Sequence, residues 1–449
     1  MRMKRIFAII IAVLLIVLTV LPAYAADYGC DVETTTNAVY MENLDTGNVV
    51  FEKNSTQKVY PASTTKILTY IVVSENVSDL DGTELEIKEE YFTEMDPESS
   101  VMGLTEHIGE TVSVRDLLYG LMLPSGNDAA LMLANYVGGS VSGFVDMMNE
   151  KVTELHCENT RFTSPHGLFD EDHYSTAQDM ATITKYAMEL PGFMEICSST
   201  HHEVKSYSNS DPETIETTNY LIDETQKGGY YYYSYAKGIK TGFTDEAGRC
   251  LVSTAVKDGY TYLIVALGAA YDYDEDINYA MLDSKELYEW AFEHIAYQTV
   301  MSGTDSLGQA DVEFAKDDKK INLVPSGDVS SLLPNDYDKA RVTTEVQVNE
   351  NIEAPVKQGD ILGSVEVYLD GELIDTKDVI AADSVERDEF KYTFHQIKEF
   401  FKTHVVLVII LGVVLIVVII IIIAAVNSAK KAKKRRERER SRRRYRDND

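Results

Sequence analysis

Ser63 and Lys66 stand three residues apart, a spacing that puts two side chains on one face of a helix about one turn from each other. A serine hydroxyl is a poor nucleophile until a neighbouring base takes its proton. A lysine amine can be that base if burial or a second cation lowers its pKa, and Lys240 is a candidate for the cation. Ser125-Gly126-Asn127 adds a hydroxyl and a carboxamide, and Lys240-Thr241-Gly242 adds a cation, a hydroxyl and a residue without Cβ. Lys240 and Thr241 suit a terminal carboxylate, while Gly242 lets backbone approach a ligand closely. The chemistry these residue types can do together is acyl transfer from a chain that ends in a carboxylate.

Each string needs an element to hold it. Pro61 and Ser63 precede the apolar stretch Lys66 to Val73, which predicts a core helix. Backbone N–H groups left free at such a helix start can favour an oxyanion. Ser113-Val114-Arg115-Asp116 reads as a capping box for a buried helix that Pro124 ends, and a second apolar helix runs from Asp128 to Tyr136. Ser125-Gly126-Asn127 is then the loop between two core helices, suited to a cleft wall. Lys240-Thr241-Gly242 precedes two β-rich runs, Cys250 to Val256 and Tyr260 to Leu267, joined by the hairpin signal Asp258-Gly259. An edge strand carrying it can pair with an extended peptide. Plainer readings exist for each string alone: a helix cap with a solvated lysine, a helix–helix turn, and an ordinary strand end.

The three strings in this order resemble the Ser-x-x-Lys, Ser-x-Asn and Lys-Thr-Gly signature of penicillin-binding proteins and serine β-lactamases. Pro124 to Ala130, Pro165-His166-Gly167-Leu168, His173 to Ala177 and Thr241 to Gly248 resemble more narrowly the D-alanyl-D-alanine carboxypeptidases, over roughly residues 34 to 385. The resemblance implies an α/β (α+β) transpeptidase-like fold, with an antiparallel sheet flanked by helices, and a small β-sandwich domain after it. It implies that Ser63 is the nucleophile, Lys66 the general base and Ser125 a proton relay. Asn127, Lys240, Thr241 and Gly242 would bind substrate, with the Ser63 and Phe243 backbone N–H groups as oxyanion hole. It implies peptidoglycan stem peptides as substrate, β-lactams as inhibitors, and neither cofactor nor metal. Two departures concern the terminal carboxylate. Phe243 stands where some members have histidine, and Ile277 to Leu282 lacks an arginine that some carry near the start of the last catalytic-domain helix. A wall-binding homologue without activity and a β-lactamase are the alternative readings.

The ends of the chain address a compartment. Arg2, Lys4 and Arg5 precede an apolar run from Ile6 to Leu21 and then Pro22-Ala23-Tyr24-Ala25, a secretory signal at residues 1–25 with cleavage expected after Ala25. Val405 to Val426 is an unbroken apolar run of 22 residues, enough to span a bilayer. Lys430 to Arg446 carries 12 Lys and Arg, so the basic tail, 427–449, is expected in the cytoplasm and the rest outside. The chain carries −32 overall, and with the signal at +3 and the tail at +8 the residues between carry −43. So acidic an exported part excludes nucleic acid as a partner.

Composition suggests a catalytic domain at 28–302, closed by a helix from Asp283 to about Val300, then a β domain at 304–384 with a hairpin at Asp370-Gly371, and a helical stem at 385–404. The β domain and stem would act as a spacer between membrane and catalytic cleft. Tyr230 to Tyr233 is expected to be strand packing more than cleft lining. The four cysteines are expected to be mostly unpaired.

Overall fold

The computed structural model describes residues 28–93, 95, 96, 99–272 and 274–446. The expected signal at 1–25 lies outside them. Two compact units emerge, one running to Gln298 and taking in Leu332–Asp338, the other comprising Thr299–Ser331 and the chain from Lys339.

In the first unit the strands β1 (Ala38–Asn43), β2 (Val49–Lys53), β3 (Ala236–Thr244), β4 (Gly248–Lys257) and β5 (Tyr260–Ala269) form an antiparallel sheet in the order β2-β1-β5-β4-β3. Side chains alternate across a strand, and here both faces are buried. Leu263, Val265 and Leu267 of β5 join one apolar cluster, while Tyr262, Ile264 and Ala266 join another. The first cluster is completed by helices α1 (Lys66–Asn76), α2 (Val114–Met122), α3 (Asn127–Gly138), α4 (Val141–Glu154) and α5 (Ala177–Met188). The second is completed by α6 (Tyr279–His294). Ile67, Leu68, Tyr70 and Ile71 of α1 are fully buried, each worth about 1.5–3 kcal/mol relative to exposure.

The expected punctuation is present. Ser113 caps α2, its Oγ accepting from Asp116 N at 3.1 Å. Asp258-Gly259 turns β4 into β5, with Asp258 at φ 53° and Gly259 at φ 86°. One helix differs: α6 begins at Tyr279, capped by Asn278, and ends at His294 rather than near Val300. Ile295–Met301 is a strand instead, and its Ile295, Tyr297, Thr299 and Val300 are residue types that favour extended backbone. Tyr231 and Tyr233 pack in the second cluster. The Tyr231 hydroxyl accepts from Asn278 N and donates to Asp276 O, so it braces the start of α6. All four cysteines carry free thiols.

The second unit holds a five-stranded antiparallel sheet of β6 (Gly308–Ala310), β7 (Ile321–Pro325), β8 (Val342–Val348), β9 (Ile361–Leu369) and β10 (Glu372–Ala381), ordered β6-β7-β10-β9-β8. Its core includes Ile321, Leu323, Val365, Val367 and Val379. The expected Asp370-Gly371 hairpin joins β9 to β10. Helix α7 (Glu389–Thr403) follows, and then α8 (Val405–Arg446), whose apolar portion is long enough to cross a membrane.

Candidate active site

Ser63 lies in a 3-10 turn, Ala62–Thr65, that feeds directly into α1. The turn is tight. Ala62 takes φ 47°, a left-handed conformation that a residue with a Cβ holds only when its surroundings enforce it. Thr64 Oγ1 donates to Pro61 O at 2.6 Å and Thr65 Oγ1 to Ala62 O at 2.8 Å. Gly167 closes over the same carbonyl at φ 85°, and a Cβ there would fall 2.0 Å from Ala62 O.

Lys66, fully buried, points back at Ser63, with Nζ 2.9 Å from Ser63 Oγ. Nζ also lies 2.7 Å from Asn127 Oδ1 and 3.0 Å from His166 O. Burial first, and then the charge of Lys240, hold this amine well below the usual lysine range. A neutral amine has two hydrogens and one lone pair. An unprotonated amine that gave both hydrogens to Asn127 Oδ1 and His166 O would leave its lone pair for the Ser63 hydroxyl.

The second string sits where α2 hands over to α3. Ser125 is buried and takes φ 65°, and Gly126 N donates back to Gly120 O at 2.8 Å. Asp128 anchors this corner. Its Oδ1 accepts from Met102 N at 3.0 Å and Ala129 N at 2.9 Å, and its Oδ2 from Gly103 N and Leu104 N, both at 3.0 Å. Asn127 N donates to Ser100 O at 2.8 Å, so the stretch before Leu104 is tied to the Ser-Gly-Asn corner from both sides.

The third string lies on β3, the terminal strand of the sheet. Adjacent residues there face opposite layers. Lys240 is paired with Val252 of the first cluster, the layer that holds Lys66, whereas Thr241 is paired with Leu251 of the second. Lys240 is fully buried, and burial pushes its amine down to about 7. Its Nζ donates to Thr241 O at 2.9 Å. Gly242 packs on the nucleophile's turn, and a Cβ there would be 3.0 Å from Ser63 N and 3.1 Å from Ala62 Cβ. The three strings, far apart in sequence, thus meet around Ser63.

Motif spacing does not reveal several supporting groups. His166 contributes its backbone oxygen, and burial pushes its ring down to about 3. His173 is buried, its ring pushed down to about 4 chiefly by desolvation. Thr163 N donates to Nδ1 at 3.1 Å, which leaves the hydrogen on Nε2 for Thr65 Oγ1 at 2.8 Å. Thr218 hydrogen-bonds Thr241 through their hydroxyls and donates from its own N to Leu123 O at 3.1 Å. Residues 165–168 and 173–177 had drawn attention only as a resemblance; their role here is to buttress the serine turn. Among the described residues, no cluster of His, Cys, Asp and Glu is arranged to hold a metal ion.

A serine hydrogen-bonded to a buried lysine, beside the terminal strand of a helix-flanked antiparallel sheet, is the arrangement of a serine peptidase of the penicillin-binding class. Residues 27–271 match the D-alanyl-D-alanine carboxypeptidase family, and residues 297–387 match the C-terminal domain of penicillin-binding protein 5. The chain belongs to the D-alanyl-D-alanine carboxypeptidases, which are hydrolases. It is 29% identical over 357 residues to D-alanyl-D-alanine carboxypeptidase DacF of Bacillus subtilis, covering 79% of this chain and 86% of the relative. It is 30% identical over 363 residues to DacA of Haemophilus influenzae, covering 78% and 84%. The crystal structure of penicillin-binding protein 5 from Haemophilus influenzae superposes with a TM-score of 0.56 at 27% identity, covering 80% of this chain and 99% of that one.

Proposed function

We propose that this carboxypeptidase removes the terminal D-alanine from peptidoglycan stem peptides through an acyl-enzyme on Ser63, with penicillins acylating the same oxygen. One observation carries the reading: Lys66 Nζ, its pKa held well below the usual lysine range by burial, lies 2.9 Å from Ser63 Oγ. Lys66 takes the hydroxyl proton as Ser63 Oγ attacks the carbonyl of the penultimate D-alanine. Developing negative charge on the carbonyl oxygen meets the Ser63 and Phe243 backbone N–H groups. Ser125 passes the proton to the leaving nitrogen, and D-alanine departs. Water then releases the shortened peptide from Ser63. Asn127 positions substrate amide, Lys240 and Thr241 bind the terminal carboxylate, and Gly242 leaves room for the substrate backbone along β3.

The order of segments supports an exported protein. A signal at 1–25, a catalytic domain at 28–302, a β domain at 304–384, a stem at 385–404, one span at 405–426 and a basic tail inside at 427–449 would put the site on the wall side, where peptidoglycan is found.

The decisive experiment is a labelling and turnover assay on the full chain. Ser63→Ala should abolish both fluorescent-penicillin labelling and D-alanine release while leaving the melting temperature within a few degrees of the parent. Labelling that moves to Ser125, or persists undiminished, would refute the assignment.

A further inference from the structure

The negative end of the substrate, assigned above to Lys240 and Thr241, can be read by a further cation. The arginine that some carboxypeptidases carry near the start of the last catalytic-domain helix is absent, since Ile277 to Leu282 contains none. Lys240 is a weak substitute by itself. Its amine is fully buried and pushed down to about 7, so near neutral pH much of it is uncharged.

A guanidinium stands one strand away. Arg249 on β4 is paired with Phe243 of β3. Residues directly opposite in an antiparallel pair share a face, and residues two apart on one strand do too. Arg249 therefore projects on the same face as Phe243 and Thr241. Its guanidinium carbon lies 4.0 Å from the centre of the Phe243 ring and 4.1 Å from that of Tyr271. The cation lies against both rings, whose centres are 6.4 Å apart and whose planes are tilted by 52°, and the two contacts hold the guanidinium beside Phe243. Its Nε is buried and has no hydrogen-bond partner among the described residues. Nor does the guanidinium form an ion pair among them. Asp276 lies close enough to feel its charge, but Lys227 Nζ holds that carboxylate at 2.6 Å and the Tyr271 hydroxyl takes its other oxygen.

We propose that Arg249, held against Phe243 and Tyr271, is a further group that binds the C-terminal carboxylate of the substrate, beside Lys240 and Thr241. This rests on the carboxypeptidase reading and deepens it. A planar fork with open donors matches a carboxylate in shape as well as charge, and a lysine ammonium does not. Phe243, which replaces a polar residue found in some relatives, is then part of the device. Its ring delivers the guanidinium to the strand that holds the substrate.

The test uses the full chain in detergent and two substrates, an acyl-D-Ala-D-Ala peptide with a free carboxylate and the same peptide ending in a carboxamide. The parent should prefer the free acid. Arg249→Gln should lose on the order of 100-fold in kcat/KM on the free acid and less than about threefold on the amide, so that the preference collapses. Arg249→Lys should keep charge but lose the fork, with a loss of at least about tenfold confined to the free acid. The lysine variant decides the matter if the glutamine variant does not fold. Equal losses on both substrates would make Arg249 a structural brace and overturn the proposal, as would no loss on either. A parent that cleaves neither peptide would count against the carboxypeptidase reading itself, and this assignment would fall with it.

Discussion

The amine of Lys66 and the backbone carbonyl of His166 lie 3.0 Å apart, which ties the amine beside Ser63 to a loop a hundred residues downstream. With Asn127 Oδ1 at 2.7 Å, that carbonyl accepts from the amine and fixes where Nζ sits beside Ser63 Oγ. The loop bearing His166 therefore helps to place that amine as much as the lysine's own helix does.

Gly167 should be intolerant of substitution. A Cβ there would meet Ala62 O at 2.0 Å, and φ of 85° already disfavours a side chain. Gly167→Ala should cost at least about 2 kcal/mol and remove D-alanine release, because the serine turn must shift. Gly259→Ala is the control. Gly259 has nearly the same φ, 86°, but nothing within 4 Å, so about 1 kcal/mol and full activity are expected. Similar melting temperatures and activities for the two variants would show that space at Gly167 does not matter.

Asp128 accepts four backbone hydrogen bonds with two oxygens. In Asp128→Asn one of those oxygens becomes an NH2 that faces N–H groups. We expect a loss of about 2 kcal/mol in stability and a fall in penicillin acylation rate as the Ser125-Gly126-Asn127 corner loosens. A variant that melts with the parent and acylates at the parent rate would remove Asp128 from any role in holding that corner.

Lys240 makes stability depend on pH in a definite direction. Its amine titrates at about 7 in the folded chain, against an ordinary value of 10.5. Between those values the unfolded lysine binds a proton that the folded one does not, so stability should rise as pH climbs from about 7 towards 10.5. Below about 7 both states are protonated and this contribution is flat. Comparing denaturant midpoints of the parent and Lys240→Met across pH 6 to 10 isolates it. If the two curves run parallel, Lys240 does not carry the dependence.

Topology is open to a direct measurement. Protease added to intact, wall-stripped cells should digest the catalytic domain and spare the basic tail. Protection of the catalytic domain would reverse the proposed orientation, and peptidoglycan would no longer be within reach.

Much of this site could be read from the chain because its chemistry rides on short local spacings. Ser63 and Lys66 meet because a helical turn brings positions three apart together, and the β4–β5 hairpin follows from Asp258-Gly259. The groups that escaped reading act through atoms or partners with no local signature. His166 acts through a backbone oxygen, which any residue type would supply. Thr218 matters only because it meets Thr241 across 23 positions of chain. Asp128 was visible as part of a helix start, but not its grip on residues 102–104, which depends on a tertiary approach. The end of α6 was misplaced because an apolar, aromatic stretch such as Ile295–Met301 suits a helix or a strand until packing decides.

Lys240 and Thr241 are neighbours in the chain, yet they look into different layers of the molecule, one towards the helices that carry Lys66 and the other towards the layer closed by α6. The one strand thus serves both layers, with Lys240 on the side of Lys66 and Thr241 on the side of α6. A change of side chain on the α6 side therefore bears on Thr241 before it bears on Lys240.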